Sequence, residues 1–158
     1  DHMNAIKYQN IKTKTMKKIL TLAVIVTMTL TACANEQMIQ FSELPVLAQN
    51  FIQKHYSTSD VSYIEKDRDV LTNEYKLYLK DRTEIEFDHQ GNLQSIDCHQ
   101  TAVPQESMPS IITDYVRLHH PNLIIVEYQV DMRHQKVGLS NDWELVFDNN
   151  GNFLGMDD

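Results

Sequence analysis

Thr83-Glu-Ile-Glu-Phe-Asp-His-Gln-Gly-Asn-Leu-Gln-Ser-Ile-Asp97 decides how this chain is read, because the chain contains it twice. Sixty residues on, Trp143-Glu-Leu-Val-Phe-Asp-Asn-Asn-Gly-Asn-Phe-Leu-Gly-Met-Asp157 overlays it without a gap. Glu84/Glu144, Phe87/Phe147, Asp88/Asp148, Gly91/Gly151, Asn92/Asn152 and Asp97/Asp157 are identical. In each copy apolar and polar residues alternate, then an Asp-x-x-Gly-Asn run interrupts them. Period two gives a strand with one buried face. Asp opens a turn and Gly takes the positive-φ position, so the segment predicts a hairpin.

Working upstream, Tyr75, Leu77 and Leu79 alternate with Glu74, Lys76, Tyr78 and Lys80, as Val137 and Leu139 do in the second copy. A strand over Val61 to Lys66 opens the first sheet. The longer run Leu123 to Met132 opens the second, with Ile124, Val126, Tyr128 and Val130 expected inward. Each unit begins with a helix. In the first, Ser42 is the expected cap, Pro45 lies in the first turn, and Leu44, Leu47, Ala48, Phe51, Ile52 and Tyr56 form a stripe. In the second, Ser107 or Pro109 opens the helix, Ile111, Ile112, Tyr115, Val116 and His119 line it, and Pro121 stops it. His55 and His119 fall in the last turns, as C-terminal caps or stripe members. The helices repeat at an offset of 64 but the hairpins at 60, so the first copy holds about four extra residues, placed in the polar run Lys66 to Asn73. The expected fold is α+β: two tandem helix-plus-four-strand repeats, residues 41–100 and 101–158. They form an antiparallel sheet with both helices on one face.

The start of the chain reads as an address. Met16-Lys17-Lys18 precedes an apolar stretch, Ile19 to Leu30, of about 12 residues, too short to span a bilayer core of about 30 Å. A basic segment, a short apolar segment and a small-residue exit predict a secretory signal peptide within residues 1–32. The exit, Leu30-Thr31-Ala32-Cys33, resembles the lipobox of bacterial lipoproteins, which implies lipid attachment at Cys33 and a tether over 33–40. Residues 33–158 hold 9 basic and 21 acidic side chains, about −12 in all. Such a body repels a phosphate backbone, so nucleic acid is excluded as a partner. With Cys33 acylated, Cys98 has no intrachain partner and the fold must hold by its core.

Chemistry-bearing motifs are scarce. The Asp-x-x-Gly-Asn runs lack the alternating acids and closing Glu of a helix-flanked calcium loop. Cys98-His99 and His119-His120 are adjacent pairs without zinc-ligand spacing. No Gly-x-Ser-x-Gly elbow, phosphate loop or His-Glu-x-x-His is present. The expectation is therefore no enzyme, no metal and no cofactor. A rival enzyme reading rests on Cys98 or on a carboxylate pair such as Glu84 and Glu86. The uncovered sheet face, expected to carry Tyr63, Glu65, Tyr78, Glu84, Glu86, Ile125, Glu127, Glu144 and Val146, is the candidate binding surface. Aromatics there supply contact area and acids supply sign selectivity.

Two tandem helix-plus-strand units, each carrying Phe-Asp-x-x-Gly-Asn (Phe87 to Asn92, Phe147 to Asn152) behind a lipobox, resemble the PepSY-like, β-lactamase-inhibitor-like family of bacterial envelope proteins. The resemblance spans residues 41–158. It implies a continuous antiparallel sheet with two helices on one face. It departs from the true β-lactamase inhibitors in lacking a disulfide in each unit. It is expected to differ also from the PepSY units of protease propeptides, with no protease after Asp158. The reading is an exported, membrane-anchored, non-enzymatic module that holds an envelope protein or peptide. Inhibition of an envelope hydrolase, and metal or small-ligand binding, are the alternatives.

Overall fold

Alternating side chains become nine antiparallel strands in a computed structural model that describes residues 36–67 and 74–157. Cys33, the leader over 1–32 and most of the expected loop Lys66–Asn73 lie outside the described residues. The strands are β1 Glu36–Met38, β2 Val61–Asp67, β3 Tyr75–Leu79, β4 Glu84–Phe87, β5 Leu93–Asp97, β6 Ile125–Val130, β7 His134–Leu139, β8 Glu144–Asp148 and β9 Phe153–Asp157. They pair in chain order, β1 to β9, in one sheet. Helices α1 (Val46–His55) and α2 (Ser110–His119) precede β2 and β6. Eight strands were expected. The ninth, β1, comes from the stretch read as a tether, where Met38 pairs with Glu65 and Ile39 donates to the Ile64 carbonyl at 3.0 Å.

One row of directly opposed residues carries the core across the sheet. Ile64, Leu77, Ile85, Ile96, Tyr128, Val137 and Leu145 face one another strand by strand, and all are buried. Leu44, Ala48 and Ile52 of the first unit, and Met108, Ile112 and Val116 of the second, pack into the same core at i, i+4 spacing. Phe51 of α1 sets its ring edge against Phe87 at 5.7 Å, and Tyr115 of α2 does the same to Phe147 at 5.4 Å. The buried helix stripe is narrower than the periodicity predicts, since Leu47 and Ile111 stay about half exposed. Ser42 is not the cap of α1. It lies in a separate 3-10 turn, Phe41–Glu43, and Pro45 occupies the cap position, as Pro109 does before α2.

Both copies close their second hairpin identically, and the geometry explains the repeated motif. Asp88 Oδ1 accepts from the backbone N–H of Gln90 and of Asn92, each at 2.8 Å, while Oδ2 accepts from the Asn92 side chain at 2.9 Å. Asp148 repeats this with Asn150 and Asn152 at the same distances. Gly91 (φ 89°) and Gly151 (φ 79°) take the left-handed position and also sit beneath the helix starts. A β-carbon on Gly91 would lie 2.7 Å from Pro45 Cβ; one on Gly151 would strike the end of Ile111. Phe-Asp-x-x-Gly-Asn is thus a turn that lets a helix sit on it. The first hairpins account for the change of offset. Asp67 donates to Glu74 across residues 68–73, whereas Asp131 donates to His134 across only Met132 and Arg133.

Candidate functional site: the polar parity of the sheet

Residues that alternate with the buried row form a second cross-strand row. Tyr63, Tyr78, Glu84, Asp97, Glu127, Gly138 and Glu144 oppose one another in turn. The aromatic end is ordered by stacking, with the Tyr63 and Tyr78 rings 4.4 Å apart and 20° from parallel. Burial, then the carboxylates of Glu65 and Glu84, push the Tyr78 phenol up to about 12, so it stays a neutral donor. Beyond Tyr78 the row is acidic, and Asp97 lies directly across from Glu127.

A parallel row, Glu65, Lys76, Glu86, Ser95, Gln129, Lys136 and Val146, carries the compensating charge. Lys76 meets Glu86 at 3.0 Å and Lys136 meets Glu144 at 2.6 Å. Glu127 sits between the rows' charges, half-buried beside the side-chain-free notch of Gly138, where an added β-carbon would come within 3.0 Å of it. Its carboxyl is raised above the ordinary range, first by desolvation and then by Asp97 and Glu144. A hollow of about 420 Å³ opens here, lined by Asp97, His99, Glu127, Gly138 and Glu144 among others. His99 is held at its mouth by Asp97, which accepts its backbone N–H at 2.8 Å and lies 3.3 Å from its ring.

Of the residues expected on this surface, Tyr63, Glu65, Tyr78, Glu84, Glu86, Glu127, Glu144 and Val146 share the polar parity. Ile125 does not. It opposes Leu139, which is buried, and packs against the core. The register shifts between Ile125 and Glu127, a bulge that inserts one residue and breaks strict alternation. For the same reason Ile124, expected inward, is 43 % exposed. Local alternation does not place Asp97, Lys76, Lys136 or Gly138 beside this surface; Asp97 comes opposite Glu127 only through the pairing of β5 with β6.

The other chemical candidates are placed as follows. Cys98 is buried at the end of β5, and burial pushes its thiol up, away from the reactive thiolate. His55 and His119 lie on the rings of Phe51 and Tyr115, at 4.7 and 4.3 Å. Burial and then Lys54 lower His55, so it is a neutral stripe member rather than a charged cap. The Asp88 and Asp148 carboxylates are filled by their own turns. Asn152 and Asn150 hold Asp148 below the usual range; in Asp88 the bonds from Asn92 and Gln90 outweigh burial and do the same. Among the described residues, no three His, Cys, Asp or Glu side chains converge as a metal cluster, and no helix is long and apolar enough to cross a membrane.

Comparison with known proteins agrees with this geometry. A family model described as "Putative beta-lactamase-inhibitor-like, PepSY-like" matches twice, over residues 29–94 and 73–155. A solved Bacteroides thetaiotaomicron structure, described as a "putative calcium-regulated periplasmic protein", is 33 % identical with a TM-score of 0.75, covering 78 % of this chain and 97 % of that one. Two Bacteroides vulgatus structures, both described as putative periplasmic proteins, are also similar. One is 28 % identical (TM-score 0.75; 80 % and 100 % covered), the other 30 % identical (0.73; 78 % and 99 %). No curated protein matches the sequence.

Proposed function

This chain belongs to the PepSY-like family, and on that premise we propose that it is an exported, lipid-anchored, non-enzymatic module whose open sheet face holds an envelope protein or peptide. Support for export comes from the basic and apolar leader and from the periplasmic description of the similar structures. The Leu30-Thr31-Ala32-Cys33 lipobox supports the anchor. α1 and α2 rest on Phe87 and Phe147, which lie two residues beyond Ile85 and Leu145 of the buried row. These contacts support the reading in which both helices cover the same face and leave the Tyr63–Glu144 row open. The stacked Tyr63–Tyr78 pair beside that acidic row is the observation that carries the reading. Aromatic anchors next to charge of one sign are the usual makings of a protein-binding surface.

Capture of partners from detergent-solubilised envelope by the unsubstituted chain, Tyr78→Ala and Glu86→Lys tests it. A partner retained by the first and lost from both variants is the expected result, and equal recovery by all three would count against it. The family's description favours inhibition of a hydrolase as a second reading. Titrating the chain into β-lactamases and proteases separates the two, since a simple binding module changes no rate. Calcium, which describes the B. thetaiotaomicron structure, has no unfilled carboxylate in the two Asp-x-x-Gly-Asn turns of this chain. The melting temperature is expected to stay fixed when calcium is added or chelated; a rise with calcium would revive the metal alternative.

A further inference from the structure

The internal repeat shows where the second unit lacks a side chain that the first one has. Between α2, the segment ahead of it and the start of β6 lies a hollow of about 180 Å³, walled by Val103, Met108, Val116 and Ile125. Gln105 also borders it, and opens the 3-10 turn Gln105–Ser107 ahead of α2. Sixty-four residues earlier Phe41 opens the matching turn, Phe41–Glu43, ahead of α1. Both turns are anchored alike, by Leu44 and Met108, which follow them and are buried. Phe41 packs against the core, whereas Gln105 is exposed. In the first turn of each helix the loss recurs. Gln49 reaches back to the Leu44 carbonyl at 2.8 Å, while its shorter counterpart Thr113 turns onto the Ser110 carbonyl of its own helix at 2.9 Å. The rim changes in the opposite sense. Asp60 and Ile124 hold equivalent places, their carbonyls accepting from Lys80 at 2.9 Å and from Ser140 at 3.0 Å. Ser59 and Asp60 are thus replaced by Leu123 and Ile124, and Ile124 is 43 % exposed. Bulk has left the floor and apolar surface has come to the mouth.

We infer that this hollow is a socket for one phenylalanine side chain of a partner polypeptide, which supplies the ring that Gln105 does not. Volume sets the class of ligand. Pockets that hold whole small molecules run to about 300–1,000 Å³, while an apolar cavity of about 150 Å³ admits a single benzene ring. The hollow therefore suits one side chain rather than a whole metabolite. Charge narrows the choice further. Among the described residues no carboxylate lines the hollow, so a Lys or Arg entering it would be desolvated without a partner. Arg117, the cation at its border, is engaged by Asp114 at 2.8 Å, which leaves an uncharged ring as the fitting guest. Phe41 is the precedent within the chain, a phenyl ring set on the core at the matching turn. No residue of the Tyr63–Glu144 row borders the hollow, so the socket is a contact point separate from the open sheet face.

Methyl NMR of the full chain tests the socket, read at Met108, Val116 and Ile125 with blocked tripeptides as probes. N-acetyl-Gly-Phe-Gly-amide should shift these methyl signals saturably, several-fold more than the corresponding Ala and Leu tripeptides at equal concentration. Gln105→Phe restores the ring of the first unit, and Ile124→Asp restores its rim residue; both positions are exposed, so neither change disturbs the core. Each should cut the shift several-fold. Shifts no larger than those from the Ala or Leu tripeptide, or unchanged in either variant, would overturn the inference. So would tighter binding of benzyl alcohol than of the Phe tripeptide, which would assign the hollow to a free ring compound. Failure here leaves the open-face reading as it stands, because the two surfaces share no residue of that row.

Discussion

Gly91 and Gly151 show how far one residue type can be dictated by its surroundings. Each must adopt positive φ and each lies under a helix, yet their neighbours differ in rigidity. Gly91 faces Pro45 Cβ and the backbone nitrogen of Ala48, neither of which can swing away; Gly151 faces the end of a half-exposed Ile111 side chain. Gly91→Ala is therefore expected to cost at least about 2 kcal/mol and Gly151→Ala less, as read by urea denaturation. Equal losses would mean that backbone conformation alone sets the requirement. Glu127 makes the opposite case, a residue that weakens the fold. Its carboxyl is raised in the folded state, so the folded protein binds more protons and stability falls as pH climbs from the unfolded value through the folded one. Glu127→Gln should raise Tm at pH 7, with the gain disappearing below about pH 4, where both states are protonated. A gain that persists in acid would assign the effect to packing.

At the scale of elements, the joints between helix and sheet are aromatic. Phe147 is fully buried and takes the edges of both Tyr115 and Phe153. Phe147→Ala should cost about 3–5 kcal/mol, measured by thermal or denaturant unfolding. A loss below about 1 kcal/mol would mean that α2 is held chiefly by its aliphatic row. The hairpins, both helices, the repeat and even the site of the four-residue length difference were legible in the sequence, because alternation, Gly and Pro act locally. What was hidden depends on pairing. The bulges at Val61/Tyr63 and Ile125/Glu127 set Val61 and Ile125 against the core, and no local pattern marks them. Nor does Glu36–Met38 look like a strand until β2 offers it an edge. Asp97 and Glu127, thirty residues apart in the chain, become neighbours only across the junction of the two repeats.

Across the whole molecule, duplication solves one problem and leaves a surface. Each helix can cover about one face of its own strands, and joining β5 to β6 merges two small cores into a single buried row from Ile64 to Leu145. The opposite parity then forms an uninterrupted strip, aromatic at β2–β3 and acidic from β4 to β8, with Lys76 and Lys136 alongside. The proposed function uses that strip because the Cys98 thiol is buried and the turn carboxylates are taken by their own hydrogen bonds. Site-specific photo-crosslinking in the intact envelope measures this most directly, with the photoreactive residue placed at Tyr78 or, for comparison, at Leu118 on the exposed side of α2. The account predicts a discrete adduct from position 78 and none from position 118; adducts from 118 alone would contradict it.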